Sequence, residues 1–279
     1  MAVTETTVAE SCAAAKRSAR SLATASTEAK NAALEATARL LEERAETILE
    51  ANAGDLADER AAGLTEALRD RLRLTPKRVA AMAEGVRVVR DLDDPVGEEL
   101  ERKTLTSGLD LRKVRVPLGV VAVVYEARPN VTIDCAALTI KSGNAIVLRG
   151  SSYAERSNAA LAAVVREALA EAGLPEDAVL SLGGGGHEEL AELATQEGLV
   201  DLLIPRGGEG LKAAIKAVAT VPVMYAAAGN CHVYVHTEAD PEMARRIAVN
   251  AKVQRPGVCN AAETLLQIQG EGCTIFCFA

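Results

Sequence analysis

The run VVAVVY at residues 120–125 is apolar throughout, and four of its six residues are the β-branched valine. Short runs of this kind predict strands. Helical patterns separate most of the runs, and strands buried on both faces that alternate with helices indicate a parallel, Rossmann-like sheet and an α/β fold. The further runs are AIVL at 145–148, LVDLLI at 199–204, VPVM at 221–224 and HVYVH at 232–236. The helical patterns cover residues 131–141, 154–172, 187–197 and 209–219.

The segments around this core have their own periodicities. Apolar residues recur at helical spacing through the first ninety residues, and Thr75-Pro76 is a typical helix start. Between residues 99 and 116 the period becomes two around Ser107-Gly108, which predicts a β-hairpin. Gly143 and Gly173 follow helical patterns and are predicted to end them. A last helix is expected from Asp240-Pro241 to about residue 251.

The composition excludes several classes of protein. Of the 279 residues, 49% are apolar and 25% are charged, which is typical of a folded globular chain. A net charge of −8 without a basic cluster disfavours nucleic acid and favours small or nucleotide-type ligands. The chain lacks a run of about 18 apolar residues, so we expect no membrane span and a cytoplasmic protein. The six cysteines lack zinc-ligand spacing, so we expect reduced thiols and no metal site.

The last residues differ in composition from the rest. Both phenylalanines of the chain, Phe276 and Phe278, and two of its six cysteines fall within the final seven residues. We therefore expect the tail 267–279 to be an end that does not belong to the preceding fold, rather than a designed C-terminal strand.

Parallel sheets bind ligands beyond the carboxyl ends of their strands, so the loops that follow the runs are the candidate sites. In the purely structural interpretation of the first loop, Asn130 caps the helix that follows the run and Arg128 is a surface arginine. Arg149 and Ser151 follow the second run and can hold a ribose or its phosphate, although a merely polar loop is an equal alternative.

Glycine-rich turns precede two of the predicted helices. In PRGGEG, at 205–210, Gly207 and Gly208 can let backbone N–H groups approach a phosphate at a helix start. An ordinary tight turn is the alternative. The run 183–186 is four consecutive glycines, which we interpret as a flexible turn.

Cys259 lies in QRPGVCN, at 254–260, four residues after Arg255. A thiol in a Pro-Gly turn near a cation can be exposed and nucleophilic. A buried apolar thiol is the alternative, and we assign Cys12, Cys135 and Cys231 to that second class. The three histidines, at 187, 232 and 236, are interpreted as core or surface residues.

Four strings closely resemble the γ-glutamyl phosphate reductase family, also called glutamate-5-semialdehyde dehydrogenase. They are VPLGVVAVVYEARPNVT at 116–132, KSGNAIVLRG at 141–150, LLIPRGGEGL at 202–211 and NAKVQRPGVCNAAETLL at 250–266. The resemblance, which runs from about residue 13 to 266, implies an aldehyde-dehydrogenase-like fold. It also implies NADPH-dependent reduction of L-glutamyl 5-phosphate to L-glutamate 5-semialdehyde in proline biosynthesis. A homo-oligomer is typical of the family, and a glutamate 5-kinase that supplies the substrate is implied by the pathway alone.

The same resemblance implies roles for individual residues. Cys259 matches the nucleophile, and Asn130 falls where the family places the amide that stabilises an oxyanion. Residues 226–230 stand where many aldehyde dehydrogenases carry a glutamate base, which an acyl phosphate does not need. The remaining implied contacts are Arg149 and Ser151 on the adenosine side of NADP, Gly207 and Gly208 over its phosphates, and Arg128 and Arg206 at anionic groups of the substrate.

The resemblance also divides the chain. It assigns residues 1–98 and 117–252 to an NADP-binding domain, 99–116 to an oligomerisation hairpin, and 253–266 to the start of a catalytic domain. Because the family continues well beyond Cys259, we expect an incomplete catalytic domain, with 267–279 replacing the usual continuation through truncation or a frameshift. Two alternatives stay open: a cofactor-binding fragment without catalysis, and an acylating dehydrogenase for another acyl donor.

Overall fold

The computed structural model describes residues 7–226, 229–256, 258, 260–269 and 272–277. The chain divides into two compact units, with the boundary between Tyr225 and Ala226. Neither Cys259 nor Gly257 of the QRPGVCN string is among the described residues, and Ala227 and Ala228 also lie outside them.

The first unit begins with helices, as the sequence predicts, and four of their five starts carry a side-chain cap, including the predicted one at Thr75. The Thr7 hydroxyl accepts from the Glu10 N–H at 3.2 Å, and the Thr75 hydroxyl accepts from the Arg78 N–H at the same distance. These helices are α1 (Val8–Ala23), α2 (Thr27–Glu43), α3 (Ala45–Ala57), α4 (Glu66–Leu72) and α5 (Pro76–Asp91).

The predicted hairpin is confirmed. Strand β1 (Glu99–Thr104) pairs antiparallel with β2 (Asp110–Val114), and every residue of both strands is exposed. Gly108 in the turn has a φ of +84°, a conformation that glycine adopts without strain.

A parallel sheet forms the core of the first unit, in the strand order β5-β4-β3-β6. All six residues of β3 are buried, which explains the unbroken apolar run. The strands are β3 (Val120–Tyr125), β4 (Ala145–Arg149), β5 (Val179–Leu182) and β6 (Leu202–Arg206). The helices between and after them are α6 (Asn130–Lys141), α7 (Glu155–Glu171), α8 (His187–Ala194) and α9 (Glu209–Val218).

Two strand predictions need correction. Strand β5 was not predicted from the apolar pattern, and residues 221–224 contribute only an isolated bridge between Val223 and Leu203. Pro222 has no N–H to donate, which limits this segment as a strand. The third run also becomes a strand only from Leu202 onward, although the Asp201 N–H before it donates to the Val120 carbonyl at 2.9 Å.

Asp201 ties the N-terminal helices to the sheet. Its carboxylate accepts from Lys16 Nζ of α1 at 2.6 and 2.7 Å, and from the Val120 N–H at the start of β3 at 2.8 Å. A Cβ on Gly119, whose φ is +124°, would lie 2.2 Å from Asp201 Oδ2. This glycine therefore lets the carboxylate hold β3 and β6 side by side, so that the loops after both strands meet at one edge.

The second unit contains β7 (His232–Val235), α10 (Pro241–Val253), β8 (Thr264–Gln269) and β9 (Gly272–Cys277). Strand β7 pairs parallel with β8, and β8 pairs antiparallel with β9. Residues 272–277 thus form a strand, contrary to the expectation of an end without a C-terminal strand, and the origin of the tail stays a prediction. The β-branched and aromatic residues of CTIF favour a strand despite the change in composition.

Among the described helices, none is both long enough and apolar enough to cross a membrane.

Candidate functional site

A cavity of about 320 Å³ opens at the carboxyl ends of β3 and β4. One wall is apolar and comes from Leu190 of α8 with Leu211 and Ala214 of α9. The polar part of the lining includes Arg149 and Ser151, which the sequence predicted as ligand-binding residues. The other polar contributors are Glu126, Ser152, Gly184, Gly185, Gly186 and His187. An apolar slot with a polar rim is typical of small-molecule sites.

Arg149 organises the polar rim. Its Nε donates to Glu189 Oε1 at 3.1 Å, and its Nη2 donates to the carbonyl oxygen of Gly186 at 3.0 Å and to that of Gly185. Only 13% of the side chain is exposed. The four-glycine run, interpreted from the sequence as a flexible turn, is therefore held in place by a guanidinium.

Glycine is required within that run. Gly184 has a φ of +70°, and a Cβ there would lie 2.9 Å from the Ser152 nitrogen and 3.0 Å from the Gly150 oxygen. The loop after β4 and the loop after β5 thus approach each other more closely than side chains would allow. Ser151 lies at this junction, half-buried, and its hydroxyl accepts from the Tyr153 N–H at 3.3 Å.

The start of α9 borders the same cavity. Gly208 is the N-cap residue, and its N–H donates to Glu126 Oε1 at 2.9 Å. A Cβ on Gly207 would lie 2.6 Å from Leu211 Cδ2 and 2.9 Å from Glu126 Oε1. The two glycines therefore allow an anionic group to lie against the first turn of a helix, which is where anions bind favourably.

Asn130 does not cap α6, contrary to the sequence prediction. The helix begins at Asn130 itself, with Pro129 in the N-cap position, so the amide side chain lies along the first turn. Its Nδ2 donates to Asp134 Oδ2 at 3.0 Å, one turn further on.

Arg206 lies near this pair, because it ends β6 opposite Tyr125 of β3. Desolvation raises the pKa of the Asp134 carboxyl, while the Asn130 amide and the positive charge of Arg206 act in the opposite direction. Arg128 is half-buried in the same loop, and its N–H donates to the Glu126 carbonyl at 2.6 Å. Asn130 and Arg206 thus share one end of the sheet.

Two of the thiols assigned to the unreactive class have the expected properties. Burial raises the pKa of Cys12 to about 11, with the charge of Glu192 as a smaller cause. Burial also raises the pKa of Cys135 to about 11, with Asp134 adding to it. Such thiols are poor nucleophiles at neutral pH. Cys231 is half-buried.

Three residues of this region, His187, Glu126 and Glu189, were not predicted as site residues. His187 lines the cavity as the first residue of α8, directly after the glycine run. That position was the available signal, because a side chain at a helix start beyond a strand end faces the ligand edge of a sheet. Within the described residues, no three His, Cys, Asp or Glu side chains are grouped as a metal site would require.

Comparisons with known proteins show the family of the chain. The model of the aldehyde dehydrogenase family matches residues 1–270. A gamma-glutamyl phosphate reductase of Koribacter versatilis is 53% identical over 260 residues, which are 93% of this chain and 62% of that protein. One from Kineococcus radiotolerans is 54% identical over 255 residues, covering 91% of this chain and 59% of that protein.

Solved structures give the same result for the fold. The gamma-glutamyl phosphate reductase of Thermotoga maritima superposes with a TM-score of 0.86 at 41% identity, over 94% of this chain and 63% of that one. An acetylating aldehyde dehydrogenase of Geobacillus thermoglucosidasius has a TM-score of 0.70 at 21% identity, over 94% of this chain and 55% of that one. The chain therefore spans about three fifths of the length of the curated relatives that it matches.

Proposed function

Because this chain belongs to the aldehyde dehydrogenase family, we propose that it serves the NADPH-dependent reduction of L-glutamyl 5-phosphate to L-glutamate 5-semialdehyde and phosphate. The observation that carries the proposal is the identity of 53–54% to gamma-glutamyl phosphate reductases over more than nine tenths of the chain. The reaction belongs to proline biosynthesis, and a glutamate 5-kinase is the source of the substrate.

The cavity lined by α8 and α9 suits the adenosine half of NADPH. Leu190 and Leu211 offer an apolar slot for the adenine ring, and Arg149 and Ser151 lie where a ribose and its phosphate need polar partners. The close approach that glycine allows at Gly207 suits the remaining phosphates. The cofactor supplies a hydride when it is bound.

Cys259 is the proposed nucleophile. Its thiolate attacks the acyl carbon of the substrate, phosphate leaves, and a thioester remains on the sulfur. Bound NADPH would supply the hydride that reduces this thioester to the semialdehyde and releases the Cys259 thiolate. An acyl phosphate carries a good leaving group and the thioester is not hydrolysed, so this route needs no carboxylate base in the stretch 226–230.

The amide of Asn130 is proposed to donate to the oxyanion that forms in both steps. A donor in this role is worth roughly 3 kcal/mol in the transition state. The hydrogen bond to Asp134 supports the proposal, because it occupies one N–H of Nδ2 and leaves the other for the substrate. Arg128 and Arg206 are proposed to bind the anionic groups of the substrate.

The division of the chain remains as the family resemblance suggests. Residues 1–98 and 117–252 form the NADP-binding part, and 253–266 carry the nucleophile. We propose that the hairpin 99–116 pairs with a second copy, because both its strands are exposed and their edges are available for pairing.

The first experiment titrates NADPH into the purified chain and then assays the reverse reaction with glutamate semialdehyde, NADP and phosphate. Turnover that Cys259→Ser abolishes and Cys135→Ser retains supports the proposal. Turnover that survives Cys259→Ser contradicts the nucleophile. Equal activity with acyl-CoA substrates would instead favour the acylating dehydrogenase.

A second candidate function is cofactor binding without catalysis. It is favoured by the cavity that Arg149 and Ser151 share with the start of α9, because these are the elements proposed to bind the cofactor. Tight NADPH binding without turnover by the purified chain supports this candidate, and turnover excludes it.

A further inference from the structure

Helix α9 is capped by a residue from another part of the chain. Its N-cap residue, Gly208, has no side chain that could satisfy the first-turn N–H groups. Glu126, 82 residues earlier in the loop after β3, accepts the Gly208 N–H through Oε1 at 2.9 Å. A carboxylate thus lies at the positive end of the helix dipole.

The local sequence makes room for this contact. A Cβ on Gly207 would lie 2.9 Å from Glu126 Oε1 and 3.0 Å from Cδ, which is closer than carbon atoms normally approach. Glu126 also lines the 320 Å³ cavity, together with Arg149 and Ser151. The carboxylate therefore lies in the proposed cofactor cavity as well as at the helix start.

We propose that Glu126 is an internal anion that a phosphate of the dinucleotide must displace, so that this one side chain sets the affinity of the cofactor site. The inference rests on the proposed function, which places a dinucleotide in this cavity. Two anions at the same helix N-terminus repel each other, and only one can accept the Gly208 N–H. The Glu126 side chain is exposed, so it can turn into water when a ligand arrives.

This role has two linked consequences. Without ligand, the carboxylate stabilises α9 by satisfying Gly208. With ligand, that stabilisation is lost and the phosphate replaces it. Removal of the charge therefore lowers the stability of the free protein and raises its affinity for the dinucleotide, because the ligand no longer competes. If Glu126 only held the loop in position, removal of its charge would lower the affinity for the dinucleotide instead.

The test measures the dissociation constant of NADPH by calorimetric titration for the parent chain, Glu126→Gln and Glu126→Ala. Both variants are expected to bind about threefold to tenfold more tightly. The melting temperature of ligand-free Glu126→Ala is expected to fall. Glu126→Gln keeps an oxygen that can accept from Gly208, so it provides the measurement if Glu126→Ala does not fold.

Glu209→Gln is the matched control. Glu209 stands in the first turn of the same helix, but its carboxylate is 79% exposed and pairs with Lys212 Nζ at 2.8 Å. This variant removes the same charge without touching the Gly208 contact, and its affinity for NADPH is expected to stay within about twofold of the parent. Equal tightening in Glu209→Gln and Glu126→Gln would overturn the inference, because the effect would then be one of net charge.

The outcomes separate this inference from the proposed function. Binding by the parent chain with unchanged or weaker binding by the Glu126 variants overturns the inference and leaves the cofactor site standing. Absence of NADPH binding in every form overturns both. Inorganic pyrophosphate, which offers the anion alone, is expected to compete with NADPH more effectively in Glu126→Gln than in the parent.

Discussion

The carboxylate of Asp55 closes the N-terminal end of α7 through Ser157, 102 residues further along the chain. It accepts from the Ser157 N–H at 2.8 Å and from the Ser157 hydroxyl at 2.5 Å, and its other oxygen accepts from the Arg156 N–H at 3.1 Å. Alanine occupies the N-cap position of α7, so a distant side chain supplies the cap. Asp55 is 1% exposed, which makes the contact a buried one.

Asp55→Ala is therefore expected to destabilise the protein by about 3 kcal/mol. The substitution removes a cap and leaves buried N–H and O–H donors without an acceptor, and each of these losses is costly. The free energy of unfolding, measured by urea denaturation, tests the expectation.

Asp177→Ala is the comparison for this experiment. The Asp177 side chain is 50% exposed and pairs with Arg166 at 3.1 Å. Loss of such a surface pair is expected to cost less than about 1 kcal/mol. Similar losses in the two variants would show that Asp55 is not the cap that the geometry indicates.

Gly150→Ala is expected to disturb a buried hydrogen-bond chain beside the cavity. An added Cβ would lie 2.1 Å from Asn158 Nδ2 and 3.2 Å from Tyr125 Cζ. Asn158 accepts from Thr132 at 3.1 Å, and Thr132 bonds the Tyr125 hydroxyl at 2.7 Å. Because Asn158 is 3% exposed and cannot move into solvent, we expect a loss of about 2–4 kcal/mol in urea denaturation.

Gly85→Ala provides the opposite case. Gly85 lies in α5 with a helical backbone, and a Cβ placed there meets no described atom within 4 Å apart from the local backbone of its own helix. Alanine is the better helix former by about 1 kcal/mol, so this variant is expected to gain a fraction of that. A loss in Gly85→Ala as large as that in Gly150→Ala would contradict the steric explanation.

The sequence predicted best those elements whose two faces are both buried. VVAVVY and AIVL became β3 and β4, because a strand covered on both sides needs an unbroken apolar run. Gly143 and Gly173 follow α6 and α7 with φ values of +73° and +70°, as their positions after helical patterns predicted.

The two wrong strand predictions concern segments in which an unbroken apolar run does not indicate a buried strand. Strand β5 has only four residues, including the polar Ser181, and stands at the edge of the sheet, where its two middle residues are half-buried. Residues 221–224 have an apolar pattern, yet Pro222 interrupts the ladder. The apolar pattern did not distinguish these two segments, because it does not show which of them pairs with a neighbouring strand.

The sequence predicted which loops form the candidate site, but it did not predict the hydrogen bonds between those loops. Arg149 and Ser151 do meet in one cavity with the start of α9. The bonds between Arg149 and Glu189, 40 residues apart, and between Glu126 and Gly208 leave no trace in local spacing. The prediction that Asn130 is a cap failed because a shift of one residue in the helix start turns its side chain toward Asp134.

Arg149→Lys is expected to weaken NADPH binding about tenfold. The guanidinium bridges Glu189 and the carbonyl oxygens of two glycines, and the single ammonium of lysine does not span these three acceptors. The loop of Gly184–Gly186 then loses its fixed position at the cavity. Calorimetric titration measures the change in dissociation constant.

Arg166→Lys serves as its control, because Arg166 also bonds backbone carbonyls, those of Glu176 and Val179, but does so outside this cavity. Its affinity for NADPH is expected to equal that of the parent chain. Equal weakening in both variants would mean that Arg149 acts through general stability rather than through the glycine loop.

The stability of the protein is expected to fall between pH 9 and pH 11 through its buried thiols. Burial raises the pKa of Cys12 and of Cys135 from 9.0 to about 11, so the unfolded chain loses these protons first and binds fewer of them in this range. The free energy of unfolding then decreases as pH rises, by about 2 kcal/mol for each thiol over this range. Urea denaturation at pH 8.5, 9.5 and 10.5 measures the decrease, and Cys135→Ala isolates one thiol from the other groups that titrate here. A decrease of the same size in the parent and in Cys135→Ala would show that the Cys135 thiol ionises as readily in the folded chain as in the unfolded one.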